Sequence, residues 1–210
     1  MLENRRVTGS WVGGFVLVLM FCCSVLASEN KAEQTSKAFI TKLSEKLELK
    51  LQEGREAEKL SDDRYLNDLI SEHIVPYLDV DFMAQKIAGD YWGTIQDQSL
   101  SKEMKDAVIA ALKRTYSVAL AAYSGEKIKI THSKDYANYS LVRVQVKTRD
   151  RSHQLDFALR KNGDKWKVFD VSVDGVVFSK TLQSSLAQQF RNEKPETVIS
   201  NLRGGDLEAL

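Results

Sequence analysis

The spacing of apolar residues changes abruptly at Gly125, and this change constrains the fold more than any other feature of the sequence. Up to that residue, apolar side chains recur every three or four positions, which is the spacing of one face of an amphipathic helix. The longest such run extends from Ser99 to Ser124. After Gly125, apolar and polar residues alternate, which is typical of strands with one covered face. The pattern therefore predicts a helical half followed by a sheet.

Four segments alternate in this way: 127–131, 139–148, 153–160 and 165–173. The short turns between the later segments favour antiparallel pairing of consecutive strands. A helical spacing returns after the sheet, with Pro195 at the first turn of a last helix. The predicted fold class is α+β: a curved antiparallel four-stranded meander covered by helices, with an additional helical subdomain.

Helix boundaries in the first half are predicted from residues that begin or end helices. The first amphipathic run, from Lys31 to Leu51, is expected to end at Gly54. The second ends before Pro76, because the residue preceding a proline is disfavoured in a helix. Asp79 or Asp81 can cap the third.

The first 27 residues form a segment of a different kind. Arg5 and Arg6 precede an uncharged apolar stretch that ends in the small residue Ala27, as in a secretory signal peptide. The sequence therefore predicts cleavage after residue 27 and a single exported domain, 28–210, divided into a mainly helical part (28–125), an antiparallel sheet (126–175) and C-terminal helices (176–210). A retained membrane anchor is the alternative, since the apolar stretch approaches the roughly 17 residues that can span a bilayer.

Composition excludes several classes of function. Both cysteines, Cys22 and Cys23, lie in the first 27 residues, so the remainder can have no disulfide framework, thiol catalysis or Cys-ligated metal. The remainder also has 28 basic and 28 acidic residues, of 30 and 29 in the whole chain. Because there is no excess of positive charge to neutralise phosphates, a nucleic-acid partner is not expected.

The sequence offers little that could support catalysis. The three histidines share no spacing typical of metal ligands, and no phosphate-binding loop or nucleophile motif is present. Asp156 is flanked by apolar strand residues, but alternation turns it away from Leu155 and Phe157. We therefore expect no catalytic residue, no metal and no cofactor. A small-molecule enzyme that uses Asp156 inside the sheet remains the alternative hypothesis.

A series of short segments resembles the MlaC family of periplasmic phospholipid-binding proteins, which are also known as toluene-tolerance auxiliary proteins. The segments occur in the family's order and are HIVPYLD at 73–79, FMA at 82–84, GDYW at 89–92, YSVAL at 116–120, LDF at 155–157, WKVFDV at 166–171 and DGV at 174–176. The chain departs from the family at Val177, where a serine is usual, and at Leu186, where an aromatic residue is usual.

The resemblance implies a cone similar to that of NTF2-like proteins, with a helical subdomain, and a periplasmic carrier without enzymatic activity. Such a carrier would move a phospholipid between an outer-membrane lipoprotein complex and an inner-membrane MCE-domain ABC transporter complex, and so contribute to outer-membrane lipid asymmetry. Some relatives are associated with hopanoids instead. A structural domain with a filled core is a third hypothesis. The residues predicted to line the lipid pocket are Phe82, Ile87, Val108, Leu112 and Tyr116 on the helices, and Val142, Val144, Val146, Leu155, Phe157, Leu159, Phe169 and Val171 on the sheet.

Overall fold

The computed structural model describes residues 35–95 and 97–205, and its first helix is α1, Ser36–Glu56. The Thr35 side chain accepts a hydrogen bond from the Ala38 amide and so caps this helix. The prediction that α1 ends at Gly54 is wrong, because the helix continues through that residue. A Cβ atom on Gly54 would lie 2.7 Å from the Tyr65 ring, so the glycine allows a close helix contact and does not end the helix. The predicted signal segment, residues 1–27, lies outside the described residues.

Carboxylate caps begin the next helices. In α2, Asp63–His73, the Asp62 carboxylate accepts hydrogen bonds from two amides of the first turn. This helix ends before Pro76, as predicted, and one turn of 3-10 helix follows at Val75–Tyr77. Asp79 then caps α3, Val80–Ala88. A short helix, α4, spans Trp92–Ile95.

The longest helix, α5, spans Gln98–Ala121 and is about 36 Å long at 1.5 Å per residue. It begins at Asp97, whose carboxylate accepts hydrogen bonds from two first-turn amides, and it packs mainly against α7, Pro195–Gly204. Arg114 joins the two helices by donating hydrogen bonds to carbonyls at the C-terminus of α7. Among the described residues, no helix combines the length and apolar character needed to cross a membrane.

The sheet contains the four predicted strands and a short fifth one. The strands are β1 (Lys127–Asp135), β2 (Ser140–Lys147), β3 (Ser152–Asn162), β4 (Lys165–Val173) and β5 (Val176–Val177). They pair antiparallel in sequence order, β1-β2-β3-β4-β5. Asp174 and Gly175, at φ 50° and 88°, form the tight turn between β4 and β5. The predicted α+β class is confirmed, with one more strand than expected.

A β-bulge in β4 reverses the alternation that the sequence suggested there. Ala158 pairs with Asp170 and Leu159 pairs with Val168, so Phe169 is an extra residue without a partner. The placement of Phe169 on the same face as Val171 is therefore wrong. Val168 takes the inner position, while the Phe169 ring packs outside the sheet, on α3.

Helices pack unevenly on the sheet, and this leaves room on one face. Helix α1 packs on β1 and β2, whereas α3 and α6, Phe178–Asn192, pack on β4. We call the face toward α1 the inner face; it carries Val142, Val144, Leu159 and Val168 in one apolar cluster with Ile40 of α1. A second cluster joins α3, α5, α6 and α7. The division of 28–210 into three parts stays a prediction.

Candidate binding cavity

An apolar cavity of about 180 Å³ lies between the inner face of the sheet and helices α1, α2, α3 and α5. Strands β2 and β3 contribute alternate residues, whereas α1 and α5 contribute residues three or four positions apart, because these spacings put side chains on one face of each element. The lining residues are Ile40, Leu43, Ser44, Leu47, Ile70, Ile74, Leu78, Met83, Leu112, Tyr116, Leu120, Ile128, Val144, Val146, Leu155, Phe157, Val168, Asp170 and Val171.

The walls are almost entirely hydrocarbon. Of the lining residues, only Ser44, Tyr116 and Asp170 carry polar side-chain atoms. Such a surface gains free energy by contact with apolar groups, at about 25 cal/mol for each Å² removed from water, and offers few directional contacts. The cavity can therefore bind hydrocarbon, but it has little with which to select among hydrocarbon chains.

Asp170 is the carboxylate among the described lining residues, and its own contacts satisfy it. One oxygen accepts hydrogen bonds from the amides of Val171 and Ser179, while the other accepts from the Ser179 hydroxyl and lies 2.9 Å from Lys86 Nζ. Since the N-cap of α6, Val177, has no side chain that could cap the helix, the Asp170 carboxylate does so from β4. The Asp170 carboxylate therefore connects β4 to α3 through Lys86 and to α6 through Ser179.

Tyr116 is the other titratable group on the cavity wall. Burial raises the pKa of its phenol strongly, and the negative charge of Asp170 raises this pKa further. Its ring lies 5.9 Å from that of Phe178. The phenol therefore stays neutral in the folded protein.

We expect the Tyr116 phenol to ionise at a higher pH than a tyrosine side chain exposed to water. Because the pKa of Tyr116 is higher in the folded than in the unfolded protein, the neutral phenol contributes fully to folding stability below the unfolded pKa of about 10. This contribution is lost progressively as the pH rises above that value. Tyrosinate absorbance followed during alkaline titration should show a last step that disappears in Tyr116→Phe. A wild-type titration in which every tyrosine ionises near pH 10 while the fold persists would contradict this assignment.

Seven of the thirteen predicted site residues lie on the cavity wall. They are Leu112, Tyr116, Val144, Val146, Leu155, Phe157 and Val171. That they contact a ligand stays a prediction.

The structure places the other six residues elsewhere. Ile87 and Val108 are fully buried in the cluster between α3, α5, α6 and α7, because they lie on the side of their helices that faces other helices. Val142 and Leu159 are fully buried in the cluster that the sheet forms with Ile40 of α1, and neither lines the cavity. Phe82 and Phe169 contact each other on the outside of the sheet, with ring centroids 5.2 Å apart, as a result of the bulge in β4.

Several wall residues were not predicted from the sequence. The largest group comes from α1, with Ile40, Leu43 and Leu47, and α2 adds Ile70 and Ile74. Their apolar periodicity was visible in the sequence. Nothing in that periodicity indicates whether the apolar face of a helix contacts a strand, another helix or a cavity.

Asp156, the residue on which the enzyme hypothesis depends, faces away from the cavity. Its carboxylate forms a two-point ion pair with Arg143, at 2.7 and 3.0 Å, and accepts a hydrogen bond from Gln154. The outward position agrees with strand alternation. A role for Asp156 inside the cavity is therefore contradicted by its position. Among the described residues, no group of three or more His, Cys, Asp or Glu side chains is placed to hold a metal ion.

The fold and the cavity define an α+β protein in which helices enclose an apolar space over one face of an antiparallel sheet. The sequence model described as MlaC protein matches residues 33–204, so the chain belongs to the MlaC family. The chain is 24% identical over 148 residues to the intermembrane phospholipid transport system binding protein MlaC of Haemophilus influenzae, a match that covers 68% of this chain and 69% of that protein.

A solved structure has a similar fold. It is that of the phospholipid-binding protein from Ralstonia solanacearum in complex with a phospholipid, with a TM-score of 0.72 and 20% sequence identity. The superposition covers 82% of this chain and 98% of that one.

Proposed function

We propose that this protein binds a phospholipid by enclosing its acyl chains in the cavity, and that it carries the lipid between two membranes. The apolar lining of the cavity is the observation on which the proposal depends. Membership of the MlaC family and the names of the two similar proteins, which refer to phospholipid binding and transport, support it.

The energetics suit a carrier. Burial of each methylene group gains about 0.8 kcal/mol relative to water, so two long acyl chains gain roughly 20 kcal/mol, near the upper limit of noncovalent affinity. The same chains are already in hydrocarbon when they lie in a bilayer, so transfer from membrane to protein is nearly neutral. An apolar cavity therefore retains lipid in water and releases it at a membrane.

The size of the cavity implies that its walls move when lipid enters. Pockets for ligands of ordinary size have volumes of about 300–1,000 Å³, larger than the 180 Å³ enclosed here. The helical wall packs on the sheet through α1, α3 and α6, whereas α5 faces the inner strands across the cavity. We expect α5 to move away from the sheet to admit the acyl chains.

The route of transport follows from the predicted export of the chain. We place the carrier in the periplasm, where it exchanges lipid with an outer-membrane lipoprotein complex and an inner-membrane MCE-domain ABC transporter complex. An aqueous carrier is needed there because a lipid cannot cross the space between two membranes without leaving hydrocarbon.

The enzyme hypothesis needs a free carboxylate that faces the cavity. The Asp156 carboxylate faces away from the cavity and pairs with Arg143. The Asp170 carboxylate is on the cavity wall but is already engaged by Ser179 and Lys86.

The direct test is lipid that copurifies with the protein. Protein purified without detergent and analysed by native mass spectrometry should contain adducts of phospholipid mass, and solvent extraction should identify the species. Adducts of hopanoid mass would support the carrier function but show that the bound lipid is a hopanoid and not a phospholipid. Protein consistently free of lipid, even after incubation with vesicles, would overturn the proposal.

A further inference from the structure

His153 lies on the inner face of the sheet, immediately beyond the residues that line the cavity. It pairs across the strands with Val146, a wall residue, and it precedes a second wall residue, Leu155, by two positions on β3. Alternate residues of a strand share a face, so His153 points to the same side as both. Its side chain is 31% exposed. The polar imidazole of His153 therefore lies at the end of the apolar cavity wall.

Asp174 holds this ring in a defined orientation. Its Oδ2 atom lies 2.7 Å from Nδ1 of His153, while its Oδ1 atom accepts a hydrogen bond from the Gln154 amide at 2.8 Å. These hydrogen bonds lower the pKa of the Asp174 carboxyl, the bond from the Gln154 amide having the larger effect. The Asp174 carboxylate therefore stays charged, and it is the hydrogen-bond partner of Nδ1 of His153. Within residues 35–95 and 97–205, Nε2 of His153 forms no hydrogen bond and is free for another partner.

Part of the cavity wall at this end is accessible to solvent. Wall residues near the C-terminus of α5 and the adjoining strand ends, such as Leu120, Val146 and Leu155, are only half-buried. At the other end, Ile40 and Val168 are buried and Leu78 is half-buried. A lipid whose headgroup reaches solvent at the end formed by Leu120, Val146 and Leu155 would place that headgroup beside His153.

Positive charge is concentrated in the adjoining turn. The last residue of β2 and the turn that follows it, residues 147–151, include Lys147, Arg149 and Arg151 against a single acidic residue. Arg151 is near enough to Asp174 to lower the pKa of that carboxyl. The side chains of Lys147 and Arg149 form no hydrogen bond or ion pair within the described part of the chain. Residues 147–151, which we call the rim, thus carry a net positive charge, although the chain as a whole has a net charge of only +1.

We propose that His153 and Arg151 bind the phosphate group of the lipid at the mouth of the cavity, and that Asp174 is a positioning residue for His153. The proposal rests on the carrier function and adds headgroup recognition to it. With Nδ1 engaged by Asp174, an imidazole that carries both ring protons donates from Nε2 to a phosphate oxygen, and the Arg151 guanidinium supplies a second charge-assisted hydrogen bond. The two side chains thus give a phosphate-bearing lipid an advantage over a neutral lipid with the same acyl chains.

The test compares two ligands that differ only in the headgroup. Lipid-free full-length protein is incubated with vesicles containing equal amounts of a phosphatidylglycerol and the diacylglycerol with identical acyl chains, and the bound lipids are counted by native mass spectrometry. In the double variant Arg151→Gln/His153→Gln, the ratio of bound phosphatidylglycerol to diacylglycerol should fall about tenfold, the expected effect of losing charge-assisted hydrogen bonds. Diacylglycerol offered alone should bind this variant as it binds wild type.

Two further variants separate headgroup recognition from general effects of charge or structure. His132→Gln/Lys165→Gln makes the same kind of change on β1 and at the first residue of β4, and it should leave the ratio as in wild type. Asp174→Asn keeps an acceptor for the Gln154 amide but presents an amide to His153, so it should lower the ratio while the melting temperature stays close to that of wild type.

Each other outcome has a definite meaning. An unchanged ratio in Arg151→Gln/His153→Gln would overturn the headgroup proposal, even if both lipids bind. Inorganic phosphate that binds lipid-free wild type but not this variant, without a change in the lipid ratio, would assign the rim to free phosphate and overturn the proposal as well. Failure of every variant and of wild type to bind either lipid would instead refute the carrier function on which the proposal depends.

Discussion

Replacing Val146 with tryptophan should reduce the lipid that copurifies with the protein by at least about tenfold. Val146 lies on β2 with its side chain on the cavity wall, and it is half-buried, so an indole there can project into the cavity with little change in the packed core. The cavity encloses about 180 Å³, and an indole would occupy space that the acyl chains need. Lipid per protein, measured by native mass spectrometry of detergent-free preparations, reports the effect.

The adjacent residue provides a matched control. Gln145 is exposed on the opposite face of the same strand, so Gln145→Trp introduces the same side chain outside the cavity. This variant should retain lipid as wild type does, and both variants should melt within a few degrees of it. Equal lipid content in Val146→Trp and Gln145→Trp would show that lipid, if present, is bound at another place.

Replacing Asp170 with alanine should cost about 3 kcal/mol of unfolding free energy. The change removes the carboxylate that caps α6, leaves the buried Ser179 amide and hydroxyl without their partner, and removes the ion pair of the half-buried Lys86. For a domain of this size, such a loss lowers the melting temperature by roughly 9 °C. Urea unfolding followed by circular dichroism measures the free energy directly.

Two variants calibrate this effect. Asp106→Ala breaks an exposed ion pair with Lys102 on α5 and should change stability by less than about 0.5 kcal/mol. Asp170→Asn keeps an oxygen that can accept from the Ser179 amide but loses the charge opposite Lys86, so it should fall between wild type and Asp170→Ala. If Asp170→Ala is no less stable than Asp106→Ala, the carboxylate does not clamp β4, α3 and α6 together.

The sequence was informative wherever structure depends on neighbours along the chain. Helix α2 ends before Pro76 and α3 begins after Asp79, because a proline and a capping carboxylate act within one turn of a helix. The strands begin and end close to the positions where alternation begins and ends. Charge balance and the absence of cysteine after residue 27 likewise needed no structure to exclude a disulfide framework.

Errors arose where a residue has a role in a contact between distant segments. Gly54 has the residue type of a helix end, yet it is buried inside α1 because Tyr65 of α2 packs against it. Phe169 follows the apolar alternation of β4, yet a bulge places it outside the sheet against Phe82. Neither fact can be derived from local spacing, because each depends on which element lies beside the residue.

The cavity shows the same difference between features set by neighbours along the chain and features set by contacts between distant segments. The sequence was sufficient to indicate which faces of α5, β2 and β3 are apolar, because periodicity along a helix or strand determines which side chains share a face. It could not indicate that α1 seals Val142 and Leu159 into the core while Val144 and Leu155 open onto a cavity, or that His153 ends beside Asp174. Those outcomes depend on the distances between elements, and these distances are set by packing among residues far apart in the chain. An apolar face is thus a property of the sequence, whereas the empty space beside it exists only once the helices and the sheet have packed.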